Sequence, residues 1–143
     1  VQLGKLERHN DRRRAVAAIY DAAFAPLDWI KTPVLKDYAF TAQHKYVIRV
    51  PAEDRDPLIL HLKDRGVGCH VHFVPSHLHP AYKPYRTELL PVTESYWKTL
   101  VTLPLFPTLT DDEIAQVIEG VKTYPKYARS ANGHKPAGIA AKA

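Results

Sequence analysis

Prolines set the limits on what this chain can build. There are twelve in 143 residues, and each removes a backbone N–H and fixes φ, so helices and inner strands tend to end at them. Pro26 closes a stretch in which Leu3, Leu6, Val16, Ile19, Tyr20, Ala23 and Phe24 recur at three and four, which predicts a long amphipathic helix over residues 2–24. "PLDWIKTPVLKD" (26–37) holds two prolines and reads as an extended connector. "HKYVIRV" (44–50) carries Tyr46, Ile48 and Val50 at alternate positions and reads as a strand ended by Pro51. In "EDRDPLILHLKDRG" (53–66), Asp56 is the expected N-cap, Pro57 the first helical residue and Gly66 the stop.

"VGCHVHFV" (67–74) reads as a second strand, stopped by Pro75, and residues 76–90 as irregular turns around Pro80 and Pro84. A short helix is expected from "PVTESYWKTL" (91–100) with Thr93 as cap, then a third strand in 99–106 broken by Pro104. Thr110 caps "DDEIAQVIEGVKTY", whose Ile114, Val117, Ile118 and Val121 form a stripe and whose acidic first turn suits the helix dipole. The order predicts an α+β fold: a small antiparallel three-stranded sheet with helices packed on one face. One domain is expected over residues 1–126, opening with a long helix (1–25), and a flexible tail over 127–143.

Composition narrows the function classes. Hydrophobic residues at 45% and charged residues at 24% are ordinary for a globular domain. No apolar run approaches the ~20 residues a helix needs to cross a bilayer, so no membrane partner is expected. The first fourteen residues lack the apolar core of a signal peptide. A single cysteine fits a cytoplasmic setting. The net charge of +5 and pI near 9.3 raise a nucleic-acid reading. Its strongest run, Arg12–Arg14, would fan across about 200° of a helix rather than form one stripe, so no nucleic-acid partner is expected.

Four of the eight histidines, His70, His72, His77 and His79, fall within ten residues beside Cys69. Imidazoles two apart on a strand share a face and could take Zn, Ni or Cu, but Cys69 would point the other way. No Asp or Glu between residues 65 and 87 is available to orient a ligating histidine. No metal is therefore assigned. Cys69 is read as a small buried hydrophobe rather than a nucleophile. The third reading is a pocket wall for an anionic or hydroxyl-rich ligand, helped by Tyr82, Tyr85, Lys83 and Arg86.

The run of "HKYVIRV", "RDPLILHLKDRGVGCHVHFVPSHLHPAY" and "LPVTESYWKTLVTLPLFPTLTDDEIAQVIEGVK" resembles the C-terminal segment of the DegT/DnrJ/EryC1/StrS aminotransferases. The resemblance implies the small domain of a fold-type-I enzyme. In the intact enzyme, pyridoxal phosphate would pass an amino group from glutamate to a nucleotide-linked keto-sugar. It implies substrate contacts at His72, Phe73 and His77, with tyrosine common in relatives at the Phe73 position. His79 receives no role, His70 sits at a variable position, and Arg49 and Arg55 are expected in ion pairs with Asp54 or Asp56 or at helix ends. No catalytic, cofactor-binding or metal-binding residue is assigned. The nearest thing to a Schiff-base lysine motif, "SANGHK" (130–135), does not match, so the chain alone is expected to be inactive and to bind no cofactor. The helix entered at residue 2 without a cap suggests a longer protein with a missing large domain. An isolated small domain would expose the surface that packs there and could form a homo-oligomer. The alternatives are a free-standing binding or interaction module descended from such an enzyme, and a histidine-cluster metal protein.

Overall fold

The computed structural model of this chain describes residues 2–85 and 90–128. Arg86 and the tail from 129 onward lie outside the described residues. A 3₁₀ turn at Leu3–Lys5 runs into α1 (Leu6–Phe24), which buries Val16, Ala17, Tyr20 and Phe24 at the predicted spacing. Leu3, Leu6 and Ile19, expected on the same stripe, are exposed, Leu3 at 82%. Leu3 precedes the α-helix proper, and Ile19 lies about 100° around the axis from Tyr20. The three arginines brace this helix against the rest of the chain. Arg12 donates to the Leu109 carbonyl (2.8 Å) and pairs with Asp111 (2.9 Å). Arg13 donates to the Ala42 carbonyl (3.0 Å) and Asn10, and Arg14 to the Thr41 carbonyl (3.4 Å) and Asp11.

The sheet consists of β1 (Tyr46–Arg49) and β2 (Leu100–Leu103), antiparallel, with Tyr46 opposite Leu103 and Arg49 opposite Leu100. The expected third strand over 67–74 is reduced to one isolated bridge, His70 with Thr102, through N–H···O bonds of 3.2 and 2.8 Å. The next hydrogen-bonded pair in that register would set Gly68 against Pro104, which has no N–H to give. On the far side of β1, Lys31 makes a similar single bridge with Arg49.

Alternation divides this small sheet cleanly. Tyr46, Ile48, Val101 and Leu103 are buried in the core with Tyr20, Phe24, Leu58, Leu62, Val117 and Val121. The other parity, Val47, Arg49, Leu100 and Thr102, faces outward. The helices α1, α2 (Arg55–Lys63) and α4 (Asp111–Lys122) feed the core side, while α3 (Pro91–Trp97) meets the outer face, where the Arg49 guanidinium lies 3.9 Å over the Tyr96 ring.

Helix starts follow tertiary demands as well as local ones. Thr110 caps α4 as predicted, with a reciprocal capping box: Glu113 N–H donates to Thr110 Oγ1 (3.2 Å) and Thr110 N–H to Glu113 Oε2 (2.8 Å). Those bonds hold the Glu113 carboxyl below its ordinary pKa. Asp56 is not the cap of α2; the helix starts at Arg55 after Asp54, and Pro57 falls third, where a missing N–H has no helical partner to lose. Nor does Thr93 cap α3, which starts at Pro91, the residue whose fixed φ suits a first turn. Asp54 makes no capping bond because its buried carboxylate is taken by Lys126 (2.7 and 2.9 Å), Tyr127 (2.6 Å) and Tyr124 (3.3 Å). These donors come from α5 (Pro125–Ala128) and the residue before it, and Tyr127 stacks on Trp29 at 4.4 Å. The predicted domain boundary at 126 thus falls inside a short ordered helix.

Candidate substrate-facing site

The outer face of the sheet organises the residues singled out by the sequence. Thr102, a buried hydroxyl in an otherwise apolar strand, lies 3.0 Å through Oγ1 from His72 Nδ1. Whichever partner carries the shared proton, this contact fixes the imidazole plane and leaves Nε2 for a ligand. Burial first, and then the basic neighbours Lys45, His70 and His44, push the His72 pKa below the ordinary histidine value. Its edge meets Phe73 (4.9 Å, 89°) and the His70 ring (5.7 Å). The His72–Phe73 peptide is cis. Phe73 is 71% exposed and carries the Lys45 ammonium 4.3 Å over its ring.

His77, in the 3₁₀ turn Ser76–Leu78, points back to α3. Its Nε2 lies 3.1 Å from Glu94 Oε1, and a carboxylate can only accept, so Nε2 donates and Nδ1 is left for another partner. The same helix supplies Val92, Thr93, Tyr96 and Trp97 to an apolar cleft of roughly 360 Å³, which Phe73 and Leu100 complete. Helix α3 therefore links His77 and Phe73, while β2 links Phe73 and His72.

The remaining members of the cluster separate. His79 Nε2 donates to the Val74 carbonyl (3.1 Å), closing its own turn. His70 is exposed and contributes its backbone to the bridge with Thr102. Cys69 packs against the core, and burial pushes its thiol up to about 12, the reverse of an activated nucleophile. Among the described residues, no three or more His, Cys, Asp or Glu side chains are grouped to hold a metal ion. Arg55 pairs with Asp56 (2.8 Å), as expected for that position. Arg49 makes its cation–π contact with Tyr96 instead of an ion pair, and its Nε has no hydrogen-bond partner among the described residues.

Thr102, Lys45 and Glu94 were not singled out from the sequence. The signal for Thr102 was a lone hydroxyl inside "LVTLPLF"; for Lys45 it was strand parity, which places it with Val47 and Arg49.

The DegT/DnrJ/EryC1/StrS aminotransferase family model matches residues 1–122. The chain belongs to this family. It is 35% identical over 135 residues to the spore coat polysaccharide biosynthesis protein SpsC of Bacillus subtilis, covering 89% of this chain and 35% of SpsC. It is 28% identical over 125 residues to dTDP-3-amino-3,6-dideoxy-alpha-D-galactopyranose transaminase of Aneurinibacillus thermoaerophilus, covering 87% of this chain and 34% of that enzyme. The crystal structure of the aminotransferase TlmJ from Streptoalloteichus hindustanus superposes with a TM-score of 0.84 at 30% identity, over 90% of this chain and 35% of TlmJ. The chain thus spans about a third of the length of the curated relatives it matches.

The family uses pyridoxal phosphate, and the lysines set against aromatic rings here do not suit it. A Schiff-base lysine is favoured by surroundings that lower its pKa. Lys126 is held by Asp54, which pushes its pKa up, and Lys45 lies over an exposed phenyl ring.

Proposed function

We propose that this chain is the C-terminal small domain of a pyridoxal-phosphate-dependent aminotransferase that moves an amino group from glutamate to a nucleotide-linked keto-sugar. His72, Phe73 and His77 form its contribution to the substrate side of the cleft. The reading rests on the family match over residues 1–122 combined with coverage of only a third of the relatives. The cofactor, when bound in the longer protein, supplies the electron sink for amino transfer. The residues on this chain bind and orient. His72 presents Nε2 from a ring fixed by Thr102, His77 presents Nδ1 from a ring fixed by Glu94, and Phe73 gives an apolar surface between them. Two fixed imidazole nitrogens suit a ligand rich in hydroxyls, each of which can donate or accept.

Adding pyridoxal phosphate to this chain is expected to give no stoichiometric Schiff-base absorbance band. A borohydride-trapped adduct at one lysine, at one equivalent, would overturn that. In the longer enzyme, His72→Ala and His77→Ala are expected to raise KM for the nucleotide sugar by roughly tenfold each, the scale of one lost polar contact, with the cofactor band unchanged. An unchanged KM in both variants would remove these residues from the site.

A further inference from the structure

The end of the molecule where α1, α4 and α5 meet holds a cavity of roughly 570 Å³, within the size range of small-molecule sites. Ala23, Leu27, Asp28, Trp29, Lys122 and Tyr127 line it. One wall is a flat aromatic pair. Trp29 and Tyr127 stack nearly parallel (4.4 Å, 8°), and the Tyr127 hydroxyl is tied to the buried Asp54 carboxylate (2.6 Å). The two charges on the cavity are of opposite sign and come from different elements: Asp28 follows α1, and Lys122 ends α4. Neither side chain has a hydrogen bond or ion pair among the described residues, with the other or with any third group. Acceptors gather at the Asp28 end. Pro26 offers no N–H, and the Leu27 N–H turns to the Phe24 carbonyl (2.9 Å), so the Ala23 carbonyl has no donor among the described residues. Opposite charges that share a cavity without meeting fit a ligand that carries both signs itself. An anion alone would be repelled by Asp28 and a cation alone by Lys122, while a neutral apolar ligand would cover both charges and pair neither.

We propose that this cavity binds a zwitterionic α-amino acid with an aromatic side chain. The ligand's ammonium donates to the Asp28 carboxylate and the Ala23 carbonyl, and its carboxylate accepts from Lys122. Its ring lies against the Trp29–Tyr127 pair, with Leu27 beside it. None of these residues belongs to the substrate side proposed above. Tyr127 is bonded to Asp54 at the start of α2, so a ligand that binds only the folded cavity also stabilises the closure between α5 and α2.

The test is a titration of the isotopically labelled 143-residue chain, followed by amide and indole NMR, with three probes: L-phenylalanine, phenylpropionate, which lacks the ammonium, and phenethylamine, which lacks the carboxylate. L-Phenylalanine is expected to bind tightest, to shift the Asp28 and Lys122 amides and the Trp29 indole N–H, and to raise the melting temperature. Asp28→Asn should weaken L-phenylalanine and phenethylamine about three- to tenfold and leave phenylpropionate as it was. Lys122→Gln should weaken L-phenylalanine and phenylpropionate by the same factor and leave phenethylamine as it was. Both side chains are exposed and unpaired among the described residues, so both variants should melt with the parent when no ligand is present. If the three probes bind alike, or if either variant weakens all three equally, the charges do not read the ligand and the proposal fails. It fails as well if L-phenylalanine gives no saturable shift at Trp29 at millimolar concentration, or if its shifts fall at Phe73 and Tyr96 instead.

Discussion

At His72 a single ring reports on its whole surroundings. Because positive neighbours help depress its pKa, removing one should relax it: Lys45→Gln is expected to raise the His72 pKa toward the ordinary histidine value, read by proton–carbon NMR of the ring. Thr102→Val keeps strand and volume but removes the hydroxyl; it should broaden the His72 ring signals by freeing the ring while leaving the melting temperature within a few degrees. His72, Phe73 and His77 were legible as candidates through their resemblance to a family motif. Their supports were not. Thr102 and Glu94 are 30 and 17 residues away from the histidines they touch, and no local rule pairs them.

Between elements, α2 and α4 pack closely at Gly120. A Cβ at Gly120 would stand 2.8 Å from Leu62 Cδ2, and Leu62 is fully buried, so the neighbour has little room to yield. Gly120→Ala is expected to lower stability by about 1–2 kcal/mol in urea melts, overpacking outweighing the ~1 kcal/mol gain in helix propensity. His61 bridges the same pair. Its Nε2 must donate to the Gly120 carbonyl (3.0 Å), and Arg65 donates to its Nδ1 (3.1 Å), which selects the neutral ring. Burial first and Arg65 second lower its pKa. The unfolded chain then binds the proton more readily, so this contribution is complete above about pH 6.5 and fades as pH falls toward the depressed folded value. The melting temperature of the parent should therefore drop more between pH 7 and pH 5 than that of His61→Gln; equal drops would refute the clamp. The punctuation of α4 was fully readable because its cap is local, Thr110 to Glu113. The start of α2 was misplaced by two residues because Asp54 answers to Lys126, seventy-two positions on.

Across the molecule, Asp54 closes the fold by tying the start of α2 to the last described helix. Its side chain is 4% exposed and its oxygens accept from three different residues. Asp54→Asn keeps the shape and removes the charge, and is expected to cost about 2–4 kcal/mol in chemical denaturation, since the buried charge-assisted bonds to Lys126 and Tyr127 are lost. The prolines correctly bounded the segments of an α+β arrangement, but Pro104 also denies Gly68 a partner N–H, a non-local effect that no inspection of "VGCHVHFV" could show. The two-faced sheet has a last consequence. In β1, even positions hold the core and odd positions, with Lys45 just before, lie on the outer face. The outer parity can vary without changing the buried parity that holds the core. Deleting one residue ahead of Tyr46 would exchange the two roles along the strand, so such deletions should be lost from this lineage as folding failures before selection could ever judge what they bind.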